Sequence, residues 1–227
     1  MSQSPLPSVF NTMPSIVVAL FAIILGVETW FAAGTLLIGG PEIIEWRVKA
    51  IEKYAVHAEL IPWMIENNQY PLEHMARFVS FSFINKSMIN TAIACALFLA
   101  MGKMVGSVFS PVAVLILFVG SAATGAASYS LIVPENNWLF GSLTGIYGLI
   151  GAYTLILWIT LRRQNAPQKQ AFYLISLIMG IQLFFGIIFG DNKSWIADMI
   201  SSITAFSLSF LFFPGGLSKV LDLLRKS

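Results

Sequence analysis

Residues 138–153 read WLFGSLTGIYGLIGAY, and in them Gly141, Gly145, Gly148 and Gly151 recur every three or four positions. On a helix that spacing lays the four glycines along one face. A face without side chains lets two backbones come very close, the means by which helices associate where water cannot drive them together. No Asp, Glu, Lys or Arg interrupts the stretch. It predicts a tightly packed helix over residues 138–161 in an apolar surrounding.

The rest of the chain agrees with such a surrounding. Of 227 residues, 57% are hydrophobic and 11% charged, with mean hydropathy +0.78, which excludes an ordinary soluble domain. Thirteen Lys and Arg against eleven Asp and Glu leave a formal charge of +2, no basic field suited to nucleic acid. The lone Cys95 makes no disulfide within the chain and no metal cluster, and reads as a small core hydrophobe. No Lys or Arg precedes the first apolar run, which is longer than the apolar segment of a signal peptide, so an uncleaved first helix is expected.

A spanning helix needs about 20 largely apolar residues. Candidates lie at 15–38, 88–105, 110–132, 138–161, 170–190 and 195–213, giving an all-α polytopic membrane protein with six transmembrane helices. In the long insert 39–87, Ile43, Ile44, Trp46, Val48, Ile51 and Tyr54 mix with Glu42, Glu45, Arg47, Lys49, Glu52 and Lys53, as in a helix lying among lipid headgroups. Ile61, Trp63, Met64 and Tyr70 suggest a second interfacial piece. The organisation is a tail at 1–14, one membrane domain at 15–213, and a short amphipathic cytoplasmic tail at 214–227. Lys103, Arg162, Arg163, Lys169, Lys219, Arg225 and Lys226 fall on one side of the six-helix arrangement, and Arg47, Lys49, Lys53, Arg77 and Lys193 on the other. Because short cytoplasmic loops are the cation-rich ones, both termini are expected in the cytoplasm, in a membrane of bacterial inner-membrane type.

Three segments, in order, resemble the rhomboid family of intramembrane serine proteases. Residues 138–153 are similar to its glycine-lined fourth helix, which carries G-x-S-G followed by an aromatic residue. Matching Trp138, Tyr147 and Gly151 without a gap puts Leu143 at the family's serine. Arg77 to Ser80 resemble the approach to its second helix, and counting on puts Phe81 and Asn85 at two histidine positions, Asn90 at the oxyanion-hole histidine and Ala94 at its asparagine partner. Residues 197–205, ADMISSITA, resemble the family's A-H-x-x-G-x-x-x-G. The small face persists as Ala197, Ser201 and Ala205, while Asp198 stands at the histidine that serves as general base. The resemblance implies a rhomboid-like bundle with a long interfacial loop between helices 1 and 2, in which Gly141, Gly145, Gly148, Gly151, Ala197, Ser201 and Ala205 serve helix packing.

The same positions argue against the reaction. Acyl transfer requires a nucleophile, a base and donors for the oxyanion. Leu143 has no nucleophilic atom, Ala94 has no donor, and an aspartate, with an ordinary pKa of about 3.9, is poorly matched to deprotonating an alcohol. No catalytic residue is therefore assigned. A shift by one residue makes Thr144 the nucleophile of an L-T-G sequence, and Ser142 is a second candidate. Asp198 reads either as an aspartate at the helix mouth capped by loop amides or as the acceptor for its aromatic neighbour Tyr147. Glu28 within the first span is a polar contact of the bundle or the mark of a partner. Gln182 reads as an interhelical hydrogen bond, and His57 and His74 as surface histidines rather than metal ligands.

The expected function is binding of transmembrane segments of client proteins without cleavage. The alternatives are an accessory subunit of a larger membrane complex and an active serine- or threonine-type endopeptidase with a shifted nucleophile. A small transporter would need a polar path for which the intramembrane ionisable residues are too sparse. Expected partners are the lipid bilayer and other transmembrane helices, with no nucleic acid, metal or cofactor.

Overall fold

The computed structural model describes residues 13–37, 41–133, 137–189 and 193–213, with no side-chain description for 35–37, 41–45 and 185–189. The tail expected at 214–227 lies outside the described residues. Among these, five helices are long and apolar enough to cross a membrane. They are α1 (Ser15–Leu37), α5 (Met88–Gly106), the pair α6 (Pro111–Leu115) and α7 (Ser121–Ile132) joined through a π-helical turn at Ile116–Gly120, α8 (Leu143–Arg163) and α10 (Trp195–Phe212). Two begin on serine caps: Ser87 accepts from the Asn90 amide and Ser110 from the Ala113 amide, meeting amide groups that the first turn leaves free. The expected fifth span at 170–190 is shorter, because residues after Pro167 wind as a 3-10 turn (Gln168–Phe172) and only then become α9 (Tyr173–Phe189), 17 residues long.

The insert is largely helical, with α2 (Pro41–Tyr54), α3 (Leu60–Glu66) and α4 (Leu72–Ser80). Between α2 and α3 a two-residue strand β1 (Val56–His57) pairs antiparallel with β2 (Trp138–Leu139), Val56 facing Leu139 and His57 facing Trp138. This corrects the expected helix over 138–161. Trp138 and Leu139 are spent on the strand pair, and the helix begins only at Leu143. The insert is thereby hydrogen-bonded to the chain just before α8.

Inside a bilayer the lipid is as apolar as leucine, so close packing rather than expulsion of water holds helices together. Here the closeness is literal. A Cβ added to Gly151 would overlap the Ser202 carbonyl oxygen on α10, and one on Gly148 the Ser121 hydroxyl; one on Gly145 would lie 2.5 Å from the Phe118 ring, and one on Gly125 2.5 Å from the Ala197 carbonyl oxygen. Around these contacts the core is filled by Phe98, Leu117, Phe118, Ile146, Leu149 and Ile150, all buried, with Phe98 and Phe118 edge to face at 5.1 Å. A second cluster under the insert gathers Val56, Met64, Phe81, Tyr129 and Leu139.

Candidate functional site

The site is built where the insert, α8 and α10 meet. Gly141 has φ +114°, a conformation open to glycine and strained for other residues. It belongs to the turn before α8 and not to the helical glycine face in which the spacing placed it; Gly145, Gly148 and Gly151 lie on the buried part of the helix. The turn is stapled from the end of the insert. The Gly141 amide donates to the Phe81 carbonyl at 3.0 Å. The Ser142 amide donates to Asn85 Oδ1 at 3.0 Å, and Asn85 Nδ2 donates to Ser142 Oγ at 3.2 Å. One asparagine side chain therefore binds both the amide and the hydroxyl of the residue preceding the helix, and both side chains are buried.

Beyond the turn Leu143 is 38% exposed and faces a cavity of about 340 Å³. Asn85, Lys86, Asn90, the segment 137–141, Ser194, Thr144 and Asp198 complete its lining. Thr144, about 100° further round the helix, is only 3% exposed. Its hydroxyl donates to Asp198 Oδ1 at 2.7 Å, and its methyl group packs where a Cβ on Gly125 would lie 3.1 Å away. Gln182 Nε2, reaching from α9, donates to Asp198 Oδ2 at 2.5 Å. Each oxygen of this 2% exposed carboxylate thus has a donor, which is what a buried polar group in an apolar medium requires. Ser201 extends the cluster, donating to the Thr144 carbonyl at 2.7 Å.

The structure thus brings Leu143, Thr144, Asp198 and Asn90 to one cavity, with Ser142 held beside it by Asn85, and places Ala94 and Tyr147 in the apolar core. Asn90 lines the cavity mouth, but its side-chain oxygen accepts from Ser87 at 3.3 Å. Ala94 lies one turn deeper, fully buried in the apolar core. Tyr147 is 5% exposed in the same core, and among the described residues Thr144 and Gln182 are the side chains that donate to Asp198, while most of the loop before α10 lies outside them. Ala197, Ser201 and Ala205 are buried. His57 stacks edge-on against Trp138 at 4.7 Å and His74 against Trp63 at 5.3 Å, separate places that form no pair. Glu28 is buried against Arg47 and Thr91.

Chemically, the site holds a hydroxyl within proton-transfer distance of a carboxylate, at the lining of a cavity that also carries the side-chain amides of Asn85, Asn90 and Asn137. Gln182 makes the interhelical hydrogen bond expected of it, with Asp198 as the partner that the sequence reading did not name, and the role of Asn85 as ligand of the turn escaped that reading. A buried Asp198 announces that it needs donors, but nothing in one dimension says which amide reaches it.

A family model described as the Rhomboid domain matches residues 72–215. No curated protein matches the chain. The matched region holds Asn85, α8, Gln182 and Asp198, and leaves out α1 to α3.

Proposed function

Because this chain belongs to the rhomboid family, we propose that it uses the family's membrane bundle to bind transmembrane segments of other proteins and does not cut them. One observation carries the reading. The cavity presents the inert Leu143, while the Thr144 side chain beside it is buried, its hydroxyl donating to Asp198 and its methyl group lying against Gly125. The Ser142 amide, a natural oxyanion donor, is occupied by Asn85. A bond already made in the resting site has to be broken before it can stabilise a transition state, and that removes the advantage of a preorganised donor.

In this reading α9 is the sixth crossing, the cations at 103, 162, 163 and 169 face the cytoplasm, and a client helix docks from the bilayer. The test is reconstitution into liposomes with a labelled single-span peptide and a photoreactive residue at position 143. Cross-linking to an intact peptide is expected. Peptide cleavage that disappears in Thr144→Ala overturns the proposal.

That second outcome defines the competing reading, a threonine-type peptidase, favoured by the 2.7 Å contact between Thr144 Oγ1 and Asp198 Oδ1. An accessory-subunit role would use Glu28 and the interfacial insert as contacts; Glu28 has partners inside the chain in Arg47 and Thr91, and recovery of a stoichiometric partner after mild detergent extraction would favour that role over client binding.

A further inference from the structure

Glu28, in the middle of α1, has no part in the cavity, yet its partner reaches toward it. Arg47 on α2 binds the Glu28 carboxylate with both terminal nitrogens, Nη2 to Oε1 at 2.7 Å and Nη1 to Oε2 at 3.1 Å. Thr91 on α5 donates to Oε2 at 2.7 Å. The guanidinium lies over the Phe31 ring, 4.7 Å from its centroid. Neutralising Glu28 in this bidentate way uses two of the five N–H groups of the guanidinium. Here Nη1 also donates to the Asn85 carbonyl at 2.8 Å.

Asn85 is the residue whose side chain grips Ser142. Arg47 therefore holds the backbone of Asn85 while Asn85 holds the turn that starts α8, and one chain of hydrogen bonds runs from the first span to the cavity mouth. We propose that Arg47 is a positioning residue for this cavity: through Asn85 it fixes the Gly141–Ser142 turn, and with it the place of Leu143 and the width of the opening. A guanidinium suits the task, since it is planar, permanently charged and rich in donors, and so can serve a carboxylate and a carbonyl at once. The inference concerns the shape of the mouth and stands whether or not the cavity receives a client helix.

The test places a thiol at the mouth, Leu143→Cys, in the full-length protein and follows its labelling by a water-soluble maleimide; Cys95 is buried. Adding Arg47→Met together with Glu28→Gln removes the clamp without stranding a buried charge. Labelling is expected to rise roughly fivefold, the effect of losing one hydrogen bond's worth of closure. Arg47→Lys, which keeps the charge and loses the fork, is expected to raise it as well and serves if the double variant does not fold. Thr91→Val removes a Glu28 donor but leaves Arg47 on Asn85, and is expected to label at the parent rate. Parent-rate labelling in both Arg47 variants overturns the proposal, and so does an equal rise in Thr91→Val, which would mean general loosening.

Discussion

At the scale of single residues, the Thr144–Asp198–Gln182 cluster makes the sharpest claim. A buried carboxylate is tolerable in an apolar surrounding only when its lone pairs are met, and Asp198 meets them with one hydroxyl and one amide. Thr144→Val keeps the shape and removes the donor, so it should destabilise the folded protein by about 1–3 kcal/mol, read as a lowered unfolding midpoint in detergent. Thr144→Ser keeps the hydroxyl and loses the methyl beside Gly125, and should cost less, at about 1 kcal/mol. If the two rank the other way, packing of the methyl and not the hydrogen bond is what matters there. The sequence could show that Asp198 needed partners, since an aspartate in an apolar helix always does. It could not choose Thr144 over Tyr147, because both lie on α8 within one turn of Leu143 and only the rotation of α8 against α10 decides which points at the carboxylate.

At the scale of elements, the glycines separate into two kinds that spacing alone cannot tell apart. Gly145, Gly148 and Gly151 are places where another helix occupies the space of a side chain, and Gly141 is a turn with φ +114°. Gly151→Ala would drive a methyl group into the Ser202 carbonyl and is expected to destabilise by about 1–3 kcal/mol. Gly180→Ala on α9 meets no atom within 4 Å and should be neutral or stabilising by up to ~1 kcal/mol through helix propensity. Chemical unfolding of the two variants side by side checks the contrast. The start of α8 was misplaced by five residues in the sequence reading for a physical reason. Trp138 and Leu139 are as apolar as a helix start, and their pairing with Val56 and His57 is a long-range contact that no local pattern records.

At the scale of the whole molecule, the helices are held unequally. Most of the first half of α8 is buried, from Thr144 to Leu155, whereas none of the side chains described between 173 and 184 on α9 is buried. Stability follows local packing, so the α9 amides are expected to exchange hydrogen in detergent well before those of α8; equal protection would contradict it. The orientation proposed from the cations is tested in intact cells by thiol labelling from outside, with Lys53→Cys expected to react and Lys103→Cys to stay protected. By itself the sequence determined that the chain lives in a membrane, that it carries several helices long and apolar enough to cross one, and that α8 packs closely on its neighbours. Composition, hydrophobic run length and glycine spacing are local quantities, and a linear chain displays them in full. Only the tertiary structure decided that Thr144 and Gln182 meet the carboxylate, that Asn85 binds the turn, and that Arg47 joins Asn85 to Glu28. Each of these joins segments distant in sequence, and which buried donor reaches which buried acceptor depends on how the helices rotate and cross.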